Sequence, residues 1–344
     1  MKIRTIGVLT GGGDCPGLNP TIRAVVWKAF RENISVIGIK NGWKGLITKD
    51  IVRLTLNSVS GILPKGGTIL GTSRTNPYKK ADDVRKVKKN FKALKMDALV
   101  AIGGDDTLGV AHKLAREKLK VIGVPKTIDN DLSATDFTFG FDTAVNIVTE
   151  AIDRLHTTAE SHHRIMVVEI MGRHAGWIAT YAGIAGGADV ILVPEVPVDI
   201  EEVCAIIKSR IKRGKQFSIV AVAEGARLKE RDLVLQKKNK DAFGHVMLGG
   251  IGNLIGEELE KKTGFETRVT VLGHIQRGGT PTAFDRVLAT RFGVKAVELV
   301  IKGDFGKMVA LKGNKIVAVP LSRAVGTLKT LDMRLYRLAE TFFG

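Results

Sequence analysis

The chain of 344 residues is 44% hydrophobic, long enough to pack two α/β domains. No run approaches the ~18 consecutive apolar residues of a membrane span, and two distant cysteines, Cys15 and Cys204, make neither a disulfide framework nor a zinc set and suit a reducing cytoplasm. The formal net charge of +18 raises nucleic-acid binding, yet aromatic residues are only 6% and none serves the basic runs at 79–95, 208–215 and 229–240 as a stacking platform; we read these runs as solvated surface with some steering of anionic small substrates, and expect neither a nucleic acid nor a membrane as partner.

Apolar, β-branched runs alternate with amphipathic stretches along the chain. A basic start leads into a strand at 5–9, which enters a glycine loop rather than a signal-peptide cleavage site. A helix at 19–31 carries Ile22, Val25, Val26 and Ala29, and a strand at 36–39 follows. Next come a helix at 81–94, a strand at 98–102, a helix at 107–118, a strand at 121–124 and a long helix at 141–159. That helix can leave one domain and begin another. Strands at 165–170, 190–193, 218–222 and 267–272 alternate with helices at 200–213 and 253–263. The fold class is therefore α/β, with mainly parallel sheets flanked by helices, and ligands belong beyond the carboxyl ends of the strands.

Three Gly/Asp segments lie at such ends. GGGDCPGLN (11–19) follows the first strand and opens a helix; three glycines with Asp14 and Gly17 exceed what a tight turn needs and point to backbone closing around phosphate oxygens. It matches neither the Walker pattern nor the dinucleotide G-x-G-x-x-G spacing. Gly250, Gly252 and Gly256 imitate that fingerprint with one residue too many, and read as helix-entry packing. In GGDDT (103–107) one aspartate could cap the helix beginning near Thr107, but two adjacent carboxylates call for a cation or a base nearby, so Asp105 takes a magnesium-linked role. In PKTIDND (125–131) an Asx-turn accounts for Asn130 and Asp131 but not for Lys126, Thr127 and Asp129 beside them. A general base there needs a carboxylate in reach of a hydroxyl. SHHR (161–164), MGRHAGW (171–177), AEG (223–225) and LGHIQRGG (272–279) add arginines for phosphate and a carboxylate for sugar hydroxyls. His162 and His163 read as surface residues.

GGGDCPGLN, GTSR (71–74), GGDDT, PKTIDND, MGRHAGW and LGHIQRGG stand in the order and spacing of the 6-phosphofructokinases, and from about residue 4 to about residue 320 the chain resembles that family's mid-length microbial group. The resemblance implies two domains with discontinuous boundaries: 1–140 with about 276–325 for the donor, about 141–275 for the sugar phosphate, and a C-terminal helical segment at about 326–344. It implies that Gly12 and Arg74 contact donor phosphates, with Gly104 and Thr107 lining the same pocket, and that Asp105 holds Mg2+. Asp129 would take the proton from the 1-hydroxyl of fructose 6-phosphate, with Asp131 beside it, while Thr127 and Arg173 stabilise the transferring group. Met171 and Gly172 would shape the sugar pocket, Glu224 would bind sugar hydroxyls, and His274 and Arg277 would hold the 6-phosphate. Arg164 and Arg268 would join them from a neighbouring subunit, making a homo-oligomer.

Two departures from the allosteric ATP-using members bear on function. Asp106 replaces a glycine after the metal-linked aspartate, where a carboxylate would occupy the place of a nucleotide's α-phosphate. Lys126 could neutralise the departing phosphate of pyrophosphate. Together they resemble the pyrophosphate-dependent members, with ATP the alternative donor. At three effector-site positions Trp27, Leu56 and His156 replace arginines, although Arg23 and Lys215 remain, so weak or absent control by the familiar effectors is expected.

Overall fold

The computed structural model describes residues 3–229, 237–240, 246–247 and 249–344. The chain runs through β1 (Thr5–Thr10), α1 (Leu18–Arg31), β2 (Ser35–Ile39), α2 (Trp43–Thr48), β3 (Ile51–Leu54), α3 (Ala81–Ala93), β4 (Ala98–Gly103), α4 (Asp105–Arg116) and β5 (Val121–Pro125). Helix α5 (Phe141–His162) leads to β6 (Ile165–Ile170), α6 (Trp177–Ala185), β7 (Val190–Leu192), α7 (Ile200–Lys212), β8 (Ser218–Ala223), a short ribbon of β9 (Lys237–Lys240) and β10 (Val246–Met247), α8 (Ile251–Thr263) and β11 (Thr267–Val271). The last part is α9 (Ala283–Lys302), β12 (Lys307–Lys312), β13 (Lys315–Pro320), α10 (Leu321–Ala324) and α11 (Met333–Glu340).

Among the described residues the larger sheet has the order β13-β12-β5-β4-β1-β2-β3. It is parallel from β2 to β12, with β3 and β13 antiparallel at its edges. Every residue of β4 and β5 is buried, as continuous apolar runs in a sheet covered on both faces must be. The smaller sheet, β11-β6-β8-β7, is wholly parallel. One apolar core joins the two: Val8 and Val100 of the first sheet, Phe141 and Val148 of α5 and Val168 of β6 belong to it.

The chain leaves β1 for β2 on one side and returns to β4 on the other. The strand order therefore reverses at β1/β4, and a crevice opens at that switch point. The loops after β1, β4 and β5 all border it.

The structure adds elements absent from the sequence reading, among them α2, α6, α9, the β12–β13 hairpin and the short edge strand β3. It also starts α4 at Asp105 rather than near Thr107, so both aspartates of GGDDT sit in the first helical turn. The terminal segment is helical only over Met333–Glu340; residues 326–331 precede that helix as a non-helical stretch. Much of the basic run at 229–240 lies outside the described residues. The run at 79–95 forms α3 and its flanks, where Lys86 reaches Asp82 at 2.8 Å and Lys88 pairs with Glu117.

Candidate active site

The three loops are stitched together by backbone. Gly11 N–H donates to Ile102 O at 2.9 Å, and Lys126 N–H to Gly103 O at 3.0 Å. Thr107 is the wedge between them: a Cβ on Gly11 or Gly103 would come within 2.6 or 2.3 Å of its side chain, so only glycine fits at either place. GTSR completes the cradle, since Gly12 N–H donates to Ser73 O at 3.2 Å while Thr72 Oγ1 donates to Gly12 O at 2.6 Å. Lys126 lies under this loop, 3% exposed, and its ammonium donates to Gly13 O. Burial pulls its pKa down, aided by Arg277 and opposed by Asp129 and Asp14 among others.

One cavity collects Gly12, Arg74, Gly104, Asp105, Asp106, Thr107, Lys126, Thr127, Asp129, Asp131, Arg173 and Arg277, together with Asp14, His174 and Leu328. The positive end of α4 favours the carboxylates of Asp105 and Asp106 in its first turn, which supplies part of the compensation that adjacent aspartates need. Asp105 Oδ1 also accepts the Gly326 N–H at 3.2 Å.

Asp129 is 6% exposed, and its N–H donates to Thr127 Oγ1 at 3.1 Å. Its Oδ1 is buried with no hydrogen-bond partner among the described protein atoms. A buried carboxylate oxygen left unpaired is costly; here it belongs to a cavity-lining residue, as a base awaiting a hydroxyl would. Asn130, between the two aspartates, adopts φ +51°. Burial pushes the Asp131 carboxyl up to about 7, reinforced by Asp129 and opposed by Arg173.

A second cavity beside the first contains Met171, Glu224 and His274, with Glu169 and Asn253. Glu224 Oε1 accepts N–H groups from Gly172 at 3.4 Å and Arg173 at 3.0 Å. Burial raises its pKa, and the Asp129 charge adds to that. Arg277 lines the first cavity, its guanidinium against Gly13. Arg164 and Arg268 line neither cavity. Both engage Glu266, Arg164 Nε at 2.7 Å, and these cations hold the Glu266 carboxyl below its usual range.

Four residues with structural work at the site carried no signal in sequence. Gln276, fully buried, accepts the Met171 N–H at 3.2 Å. Glu169 accepts N–H groups of Gly250 and Gly252 where α8 begins, which bears out helix-entry packing there. Glu195 accepts the Gly176 N–H at 3.1 Å. Lys329 donates to Asn130 Oδ1 at 2.9 Å. The residues at the expected effector positions are all engaged: Arg23 lies 5.7 Å from the centre of the Trp27 ring, His156 bonds Gly186 O at 2.8 Å, and Leu56 borders a mixed polar and apolar depression with Phe30, Val36 and Arg53.

A family model described as Phosphofructokinase matches residues 5–300. The chain belongs to the phosphofructokinase family. It is 59% identical over 98% of its length to a Streptomyces coelicolor protein named pyrophosphate--fructose 6-phosphate 1-phosphotransferase, covering 99% of that relative. It is 52% identical, over 97% of its length and 98% of the relative's, to the same organism's ATP-dependent 6-phosphofructokinase 3. The phosphofructokinase fold recurs in the Pichia pastoris enzyme crystallised in its T-state: TM-score 0.84 and 36% identity, over 99% of this chain and 39% of that one. Among the described residues no helix is long and apolar enough to cross a membrane.

Proposed function

We propose that this phosphofructokinase transfers a phosphoryl group from pyrophosphate to the 1-hydroxyl of fructose 6-phosphate, giving phosphate and fructose 1,6-bisphosphate. One observation carries the donor assignment: Asp106 and the buried Lys126 line the same cavity as Asp129 and Arg173. A carboxylate there crowds a nucleotide's α-phosphate, while a dry ammonium meets the charge of a departing phosphate. The name of the relative at 59% identity supports this reading.

In the reaction Asp129 accepts the proton of the 1-hydroxyl as that oxygen bonds to the terminal phosphorus. The bridging P–O bond breaks and its electrons leave on phosphate, beside Lys126. Arg173 and Thr127 stabilise the transferring group, Gly12, Gly104, Thr107 and Arg74 cradle the donor, and Glu224 with Met171, Gly172 and His274 orients the sugar. Among the described residues no group of three His, Cys, Asp or Glu side chains forms a metal cage. That suits magnesium, which keeps waters and phosphate oxygens and needs one or two carboxylates, here Asp105. Bound there, it would neutralise phosphate charge and order the donor.

The same reading makes the two sheets two domains, 1–140 with about 276–325 and about 141–275, followed by the segment 326–344. It makes the working unit a homo-oligomer in which Arg164 and Arg268, held by Glu266, reach a neighbour's sugar 6-phosphate beside Arg277, and it places the enzyme in the cytoplasm. The test is turnover of fructose 6-phosphate with magnesium, offering pyrophosphate or ATP as sole donor. Turnover with pyrophosphate and little with ATP is expected. Preference for ATP would overturn the donor assignment, and silence with both would overturn the acceptor.

A further inference from the structure

Residues 326–331 lie beyond the matched family region yet touch the acidic side of the catalytic cavity. Gly326 N–H reaches Asp105. Leu328 bridges Leu132 and lines the cavity itself. The backbone of Lys329 spans both halves of the site: its N–H donates to Asp131 O at 2.8 Å, and its carbonyl accepts Trp177 Nε1–H, from the MGRHAGW segment, at 3.0 Å. Leu331 N–H then meets the Glu195 carboxylate at 2.9 Å.

The side chain of Lys329 does more than anchor this strap. Its ammonium donates to Asn130 Oδ1 at 2.9 Å, Thr135 O at 3.0 Å and Asp136 O at 2.9 Å, and stands 5.3 Å from the centre of the Trp177 ring. Three donors meet three acceptors, so the cation is saturated by the protein. Asn130 Oδ1 takes a second bond from Thr138 N–H at 3.2 Å. The one residue between Asp129 and Asp131 is thus held from both sides in a left-handed conformation that a free loop would leave readily.

We infer that Lys329 is a positioning residue for phosphoryl transfer, fixing the Asn130 turn so that the Asp129 and Asp131 carboxylates meet the substrates. The inference rests on the phosphotransferase reading, and it concerns alignment rather than affinity. Misplacing a base by an ångström costs roughly 100-fold in rate while leaving ground-state binding largely intact.

The test compares the parent with Lys329→Met and Lys329→Arg, reading kcat and KM together with amide hydrogen exchange of a peptide covering 127–133. Expected for Lys329→Met are a kcat lower by roughly 10- to 100-fold, KM values for donor and sugar phosphate within about threefold, and faster exchange in that peptide. The arginine variant should recover most of the kcat, because it restores charge and donors. Unchanged kcat and exchange in Lys329→Met would overturn the inference. So would equal losses in both variants accompanied by a collapse in thermal stability, which would mark a purely structural lysine. A parent silent with both donors would overturn the functional reading instead, and the exchange comparison would still decide whether Lys329 sets the turn.

Discussion

The Glu224 carboxylate holds the backbone of Arg173: one oxygen accepts the Arg173 N–H at 3.0 Å, and the arginine sits at φ +53° beside it. The residue proposed to bind sugar hydroxyls therefore also holds the turn that carries Arg173, the proposed phosphoryl clamp. Glu224→Gln keeps an acceptor for that N–H while losing the charge. Its KM for fructose 6-phosphate should rise about tenfold with kcat largely retained. Glu224→Ala should lose kcat as well, and steady-state kinetics of the two variants separates sugar binding from turn support.

Donor choice is tested at the two residues proposed to set it. Asp106→Gly should raise kcat/KM with ATP by about tenfold or more, by removing a carboxylate from the nucleotide's path. Lys126→Gly should lower kcat/KM with pyrophosphate by roughly 10- to 100-fold, the value of a charge-assisted contact to the leaving group. If the double variant still prefers pyrophosphate, neither residue is the gate.

The proposed sharing of the site between subunits predicts complementation. Asp129→Asn subunits lack the base, and Arg164→Ala/Arg268→Ala subunits lack the reaching cations, so each assembly alone should be nearly inactive. Random reassociation of the two as dimers should restore about one quarter of parental activity, since half the dimers carry one intact site. No recovery after verified mixing would place both arginines in service of their own chain.

The raised Asp131 carboxyl makes a prediction about stability with a definite sign. Its pKa is about 7 in the folded protein against 3.8 for the free group, so folding favours its protonated form. That contribution is complete below about pH 3.8 and is lost as pH rises towards 7. Asp131→Asn cannot ionise and should melt about 2 °C or more above the parent at pH 8, with the gap closing on acidification. The same variant should lose activity. A melting difference independent of pH would show that ionisation of Asp131 is not the cause.

The three loops that border the cavity were legible because buried parallel strands announce themselves as unbroken apolar runs, and each run is followed within a few residues by aspartate. The long α9, with Gly293 in its middle, was not read as a helix. In the structure that glycine is the contact point with α1, where a Cβ would fall 2.7 Å from Ala24 Cβ. Packing between helices decides that residue, and packing is invisible to periodicity. The β12–β13 hairpin keeps its lysines at the strand ends, and the apolar runs between them, 308–311 and 316–319, are too short for periodicity to tell a strand from a buried helix segment. Lys329 is the limiting case: a lysine in a loop reads as solvated charge, and only the fold reveals three acceptors gathered around it. Arg277 was legible as a site cation, but its approach to Gly13 follows from the loop's path, which spacing does not encode.

The bond from Lys329 to Asn130 joins residues 199 apart in the chain. The catalytic turn is thus synthesised early and braced late: a nascent chain can fold its first strands and glycine loops long before the lysine that steadies its acidic turn has left the ribosome.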